Sequence, residues 1–269
     1  MTKRRSPRIL LTNDDGFFSD SLEGLMEALR PVGEVTAIVP EQERSGVSQS
    51  ITLHKPLRCR QVRLGGGEVF VTNGTPTDCV LLGRWELLKD RLPDLVVSGV
   101  NRGPNLGEDA LYSGTVAAAR EGAILGMPAF AVSVADSEVP QRYESAYAIA
   151  RSLAEKILAM GSFPDRTFLN VNVPNRPAAK IRGVKVTELG RRRYVDIIDK
   201  RTDPRGKVYY WIDGRRVESD TTPGTDSRAV ADGYISISPV RLDFRAGPES
   251  AIFKDWGRSL ESQGRGKKK

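Results

Sequence analysis

The chain reads as an α/β protein with a mostly parallel sheet flanked by helices, and three observations predict this. Short apolar runs bounded by turn formers, such as Ile9-Leu10-Leu11 and Leu95-Val96-Val97, have the length and composition of buried strands. Between strands lies helical spacing: Leu22, Leu25, Met26 and Leu29 fall at i, i+3, i+4 and i+7, one face of a helix. A second strand, Val35 to Val39, is stopped by Pro40, so strand, helix and strand fit in about 30 residues, the size of a βαβ unit with a parallel pair. With 269 residues and an ordinary globular composition, the expectation is one α/β domain over 8–261 with a substantial core.

The first strand runs into Thr12-Asn13-Asp14-Asp15-Gly16. Ser21 is a candidate cap for the first helix, which Pro31 and Gly33 end. Glu41 to Ser50 is polar and leaves the second strand at the same sheet edge as Asp14 and Asp15. It carries Ser45-Gly46, either a hydroxyl aimed at that edge or part of a solvated loop. Leu57 to Leu64 and Val69 to Thr72 read as a hairpin around Gly65-Gly66-Gly67. Asn73-Gly74-Thr75-Pro76-Thr77-Asp78 is a tight loop into a helix largely buried through Val80, Leu81, Leu82, Trp85 and Leu88; its hydroxyls and free amides are a weak anion-site signal.

After Leu95 to Val97 comes a long Gly/Pro/Asn loop, Ser98 to Asp109, and such loops in compact domains usually serve function. Tyr112-Ser113-Gly114-Thr115 then opens a small-residue helix, Val116 to Ala119, able to pack closely on a sheet. Ser113 and Thr115 read either as a phosphate cradle or as an ordinary helix cap. Ala129 to Val134 continues the sheet, Tyr143 to Met160 is an amphipathic helix, and Phe168 to Val173 and Val184 to Thr187 are strands. Arg191 to Asp213 is charged and reads as a long hairpin, Tyr194–Ile198 with Val208–Ile212 around Asp203-Pro204-Arg205-Gly206. With little core of its own, the 190–213 segment is expected to pack on another subunit; a solvated arm is the other reading. Tyr234 to Ser238 alternates as a strand, and a terminal helix is expected over 248–261.

Composition excludes several classes. No apolar run approaches the ~20 residues of a membrane span. Met1 to Pro7 is basic but no apolar segment follows it, so it does not read as a signal peptide, and a cytoplasmic location is expected. Cys59 and Cys79 stand apart in no CxxC pattern, against a disulfide framework or zinc ribbon. The net charge of +7 resides in the ends: Lys3, Arg4, Arg5 and Arg8 at one, Arg265, Lys267, Lys268 and Lys269 at the other, which leaves the body at −1. Segments 1–7 and 262–269 therefore read as basic, disordered tails, and no specific nucleic-acid partner is expected.

The loops after the first, second and Leu95 strands share one sheet edge and bring together Asp14, Asp15, Ser45 and Asn101. Adjacent carboxylates repel unless a positive charge sits between them. A single histidine, His54, excludes a multi-histidine centre, and an all-oxygen donor set suits a hard cation: one per subunit, Mg²⁺ or Mn²⁺ first, with Ca²⁺ compatible. Asn13, Asn105 and the Ser113-Gly114-Thr115 helix start lie beside it, and a cation next to an anion-binding helix start suggests phosphate chemistry.

Five motifs carry a resemblance: Thr12-Asn13-Asp14-Asp15-Gly16; Arg44-Ser45-Gly46; Gly74-Thr75-Pro76-Thr77-Asp78-Cys79; Ser98 to Gly107; and Tyr112 to Ala119. Asp203 to Gly206, Tyr210-Trp211-Ile212 and Gly224-Thr225-Asp226 continue it. In this order they resemble the SurE family, metal-dependent phosphatases of nucleoside monophosphates, from about Arg8 to about Leu260. The resemblance implies a Rossmann-like sheet; a metal on Asp14, Asp15, Ser45 and Asn101; and Asn105 and Ser113 against the phosphate, with Asn13, Gly114 and Thr115 beside them. It also implies a homodimer or homotetramer that exchanges the terminal helix and hairpin between subunits, 5′- and 3′-nucleotidase activity, and trimming of short polyphosphate in some members. Asp14 or Asp15 would take the proton of the attacking water.

Two departures stand out. After Asp15-Gly16, Phe17-Phe18-Ser19-Asp20-Ser21 stands where the family usually has an aromatic or histidine, then a small residue, Pro and Gly, and Gly247 falls where some members carry a histidine proposed as acid or base. His54 lies outside every motif and reads as a structural histidine. The other function readings are a covalent aspartyl phosphatase with Asp14 as nucleophile, and a nucleotide- or RNA-binding regulator using the tails and Arg191-Arg192-Arg193.

Overall fold

The computed structural model describes residues 5–136, 140–195, 198–212, 216–243, 253 and 256. β1 (Arg8–Thr12), α1 (Leu22–Leu29) and β2 (Glu34–Pro40) form the expected unit, with β1 and β2 parallel. β3 (Cys59–Leu64) and β4 (Gly67–Thr72) make the antiparallel hairpin, and β4 adds parallel to β2. β5 (Leu95–Arg102) returns to the other edge of β1, followed outward by parallel β6 (Ala129–Val134) and β7 (Thr167–Val173). β13 (Ile235–Arg241) is antiparallel to β7, and β8 (Val184–Val186) closes the sheet at that edge. The nine strands run β3-β4-β2-β1-β5-β6-β7-β13-β8.

Strand alternation sorts the core into two layers. Ile9, Leu11, Leu95, Val97, Phe130 and Val132 face α1 and α4 (Glu144–Ala159), which cover them with Leu22, Leu25, Met26, Ala146 and Ala150. Leu10, Ile38, Val96, Ala129 and Ala131 face α2 (Pro76–Leu82) and α3 (Gly114–Ile124). The small face of α3 allows close approach: a Cβ on Gly122 would stand 3.0 Å from Ala129 and Val96 side chains.

Five elements differ from expectation. β5 runs on through Arg102, taking in the first residues of the expected Ser98 to Asp109 loop. α2 passes at Gly83–Leu87 into a π turn; the wider turn changes which side faces inward, and Trp85 is 59% exposed with the Arg84 guanidinium 4.2 Å from its ring. The tip of the hairpin pairs β10 (Ile198–Thr202), not Tyr194–Ile198, with β11 (Val208–Ile212). The turn fixes this register, because Asp203 donates its N–H to Lys207 O and accepts from the Arg205 and Lys207 amides on its side chain. β9 (Arg192–Val195) pairs instead with β12 (Arg216–Ser219). A short helix, α5 (Asp226–Ala231), precedes β13. Of the expected terminal helix over 248–261, only Phe253 and Trp256 lie within the described residues, both exposed; Gly247 lies outside them.

Candidate active site

Connections from β1 lead to β2 on one side, whereas β5 pairs with β1 on the other. Such a switch point opens a crevice beyond the carboxyl ends of the strands, where α/β proteins bind ligands. β1 delivers Asp14 and Asp15 to it, the loop after β2 delivers Ser45, and the end of β5 delivers Asn101 and Arg102. The turn after β1 is closed by Asn13, whose fully buried amide brackets Gly16: Nδ2 donates to Gly16 O and Oδ1 accepts from Gly16 N, both at 3.1 Å. Asn13, expected beside the phosphate, is thus spent on shaping the carboxylate turn. Gly16 sits at φ +84°, and a Cβ there would meet the Gln42 carbonyl carbon at 2.8 Å.

Asp14 is 3% exposed. Thr115 Oγ1 donates to its Oδ1, and the start of α3 lies flush against it: a Cβ on Gly114 would stand 2.9 Å from Asp14 Cβ. Burial pushes the Asp14 carboxyl up, against the bonds from Thr115. Asp15 is pushed up to about 7, first by burial and then by the charge of Asp14; the Arg102 amide, 3.3 Å from Oδ2, opposes this. Thr115, expected at the phosphate, is fully buried with its hydroxyl turned to Asp14.

One cavity of about 540 Å³ is lined by Asp14, Ser45, Asn101, Asn105 and Ser113. Asn101 Nδ2 donates to Gly103 O at 2.8 Å, which fixes the amide and leaves Oδ1 as the acceptor end. Ser45 is exposed and donates to Glu43 Oε1 at 2.6 Å. Ser113 caps α3, accepting from Val116 N at 3.1 Å, so its own O–H proton is available to a ligand. A second cavity, about 390 Å³, lies against Asp15, and Ser45 and Arg102 line both.

These residues fit a divalent cation. Burial raises both adjacent carboxyls and the charge of Asp14 raises Asp15 further, so the pair favours an added positive charge, while the charge of Arg102 is the smallest influence on Asp15. A hydroxyl and an amide oxygen complete an all-oxygen set of the kind Mg²⁺, Mn²⁺ and Ca²⁺ take.

Sequence reasoning missed the residues that hold Asn105. Asn172 Oδ1 accepts the Asn105 N–H at 2.9 Å, and Asn170 and Asn172 Nδ2 both donate to Asn105 O, at 2.8 and 3.1 Å. Asn105 Nδ2 donates to Ser133 Oγ at 2.8 Å. All three supporting side chains are fully buried. The signal was present: Asn170 and Asn172 alternate on one face of an otherwise apolar strand. Asp226, also fully buried, accepts the Gly107 and Gly190 amides and ties the Asn105 loop to α5. Asp78 closes the start of α2 in a capping box with Thr75 and takes both bonds from Thr52, so the anion reading of that loop gives way to a structural one. His54 is exposed in the loop before β3 and lines neither cavity, so it is not a buried structural histidine either.

Comparison with known proteins gives the family. The family model described as Survival protein SurE matches residues 9–196. The chain is 47% identical over 248 residues to the 5′-nucleotidase SurE of Geobacter sulfurreducens, covering 92% of this chain and 93% of that one. It is 43% identical over 249 residues to the 5′-nucleotidase SurE of Vibrio cholerae, covering 93% and 97%. The crystal structure of the SurE protein from Aquifex aeolicus superposes with a TM-score of 0.80 at 39% identity, over 93% of this chain and 100% of that chain. The sheet, the switch-point carboxylates and these matches together make the chain a member of the SurE family.

Proposed function

We infer that the protein is a nucleotidase, hydrolysing nucleoside monophosphates to nucleoside and phosphate with a divalent cation held by Asp14, Asp15, Ser45 and Asn101. One observation carries this reading: a single cavity joins three of those oxygen donors to the phosphate-facing Asn105 and Ser113. Relatives at 43–47% identity named 5′-nucleotidase support the same activity.

A bound divalent cation supplies charge neutralisation to a phosphoryl group and orients water. The chain's own residues do the rest. Ser113 Oγ, and the Asn105 Nδ2 hydrogen not held by Ser133, donate toward the phosphoryl oxygens and hold the group in line. Gly114, without a Cβ, lets the start of α3 close on Asp14. Water attacks phosphorus, the bond to the sugar oxygen breaks, a carboxylate oxygen of Asp14 or Asp15 takes the water's proton, and that carboxyl returns the proton to the leaving alkoxide, which departs as the nucleoside hydroxyl. The covalent reading has less support: Asp14 Oδ1 is engaged by Thr115, and the residue two beyond it is Gly16, not a second carboxylate.

The finer readings follow the resemblance: Mg²⁺ or Mn²⁺ as the metal, 3′-nucleotidase and polyphosphatase side activities, a homodimer or homotetramer, and a cytoplasmic site of action. Among the described residues no helix is long and apolar enough to cross a membrane. Steady-state hydrolysis of a mononucleotide panel and polyphosphate, with each cation in turn and with chelator, tests the activity and the metal; light scattering tests the assembly. Equal turnover in excess chelator contradicts the reading.

A further inference from the structure

The cavity around Asn105 and Ser113 is larger than a phosphoryl group needs. At about 540 Å³ it falls among pockets that enclose a whole small ligand. Its polar lining is Asp14, Ser45, Asn101, Asn105 and Ser113, with the charged side chains of Arg102 and Asp109. Pro104, Tyr112 and Ile212 also line it, and their side chains are predominantly apolar.

Tyr112 combines a fixed backbone with an open side chain. Its N–H donates to Asp109 O at 3.0 Å, its carbonyl accepts from Ser48 N at 2.9 Å, and the next residue caps α3. Ser48 Oγ also holds Leu111 O at 2.7 Å, a second latch on the same turn. Yet Tyr112 is 65% exposed. Ile212, at the end of β11, brings an exposed aliphatic side chain to the same cavity.

We propose that Tyr112, with Ile212 beside it, forms the subsite for the nucleobase, which stacks on the phenol ring. The proposal rests on the nucleotidase reading and names how that site takes its leaving group. The ester oxygen joins the phosphoryl group to the ribose, so the base lies beyond Asn105 and Ser113 but within the same cleft. Stacking tolerates every base, since each has a π face. The side chains of Pro104 and Ile212 offer no hydrogen-bonding group, so the stack and its apolar flank respond to the presence of a base and not to its identity. Ring face, not hydroxyl, is the recognising element.

The test uses the full chain with Mg²⁺ or Mn²⁺ and two substrates that differ only by the base, adenosine 5′-monophosphate and ribose 5-phosphate. In Tyr112→Ala the ratio of kcat/KM between them falls about tenfold or more, mainly through KM, as loss of one base–aromatic stack requires. Tyr112→Phe keeps the ratio within about threefold. A loss of equal size on both substrates, or an unchanged ratio, overturns the subsite. So does Tyr112→Phe losing as much as Tyr112→Ala, because recognition then runs through the hydroxyl. A changed assembly mass with equal loss on both substrates makes Tyr112 a subunit contact and likewise overturns it. If the unaltered protein hydrolyses neither ester with any cation, the nucleotidase reading has failed, and calorimetry with adenosine 5′-monophosphate decides the subsite alone. Binding weakened at least about fivefold in Tyr112→Ala supports it; equal binding overturns it.

Discussion

Thr115 Oγ1 donates to Asp14 Oδ1 from the first turn of α3, so the helix proposed to face the phosphate also holds a proposed metal ligand. Groups that orient a metal ligand typically govern affinity or activity by about 10–100-fold. Thr115→Val removes the hydroxyl and keeps the shape. Expected is a loss of about tenfold or more in metal affinity and in kcat/KM, recovered by Thr115→Ser. Metal titration followed by calorimetry reads the first, steady-state kinetics the second. Unchanged metal affinity in Thr115→Val would show that the bond serves the fold only.

Asn172 gives the second prediction. Its side chain makes two of the bonds that clamp the Asn105 peptide. Asn172→Ala leaves buried backbone groups short of partners, a cost of about 1–3 kcal/mol that lowers the melting temperature. It also frees the Asn105 loop, so inhibition by inorganic phosphate weakens while metal affinity holds within about threefold. Phosphate inhibition as tight as in the unaltered protein sinks this role.

Asp15 sets a pH dependence in the metal-free protein. Its carboxyl is raised from 3.8 to about 7, by burial first. The folded state therefore holds this proton more tightly than the unfolded chain, and the group's destabilising effect is absent below about pH 4, grows as pH rises, and is complete above about pH 7. Asp15→Asn removes that effect. Without metal, the variant melts higher than the unaltered protein at pH 8, and the gap closes toward pH 4. Divalent cation raises the melting temperature of the unaltered protein at pH 8 and of the variant less. A variant that melts lower at pH 8 contradicts the account.

His54 is the fourth case. It is exposed and lines neither cavity. His54→Ala should cost less than about tenfold in turnover, below the ~10²-fold low end for general acid–base catalysis. The pH–rate profile should keep its shape in the variant. A hundredfold loss with fold and metal affinity intact would place the acid at His54.

Much of the frame was legible because it rests on period and punctuation. Ile9 to Leu11, the Leu22–Leu29 face and Val35 to Val39 each state their own burial, and a βαβ unit fixes which loops share an edge. Asp14, Ser45, Asn101, Asn105 and Ser113 could therefore be gathered on one side of the sheet, and one cavity holds them. What was not legible depends on direction rather than position. A helix-start hydroxyl reads the same whether it faces a ligand or a carboxylate, and Thr115 faces Asp14. Asn170 and Asn172 sit in a strand whose apolar neighbours hid a polar stripe. Trp85 turned outward because a π turn broke the 3.6-residue count, and the hairpin register was set by bonds of Asp203 that spacing does not reveal.

The central claim is that Asp14 anchors a metal-dependent hydrolysis of nucleoside monophosphates. Phosphate release from adenosine 5′-monophosphate, measured for the unaltered protein with Mg²⁺ or Mn²⁺, with excess chelator, and for Asp14→Asn with its melting transition intact, tests it most directly. The account predicts turnover in the first arm only, with the other two reduced to near the uncatalysed level. Turnover that survives chelation, or persists in folded Asp14→Asn, would contradict it.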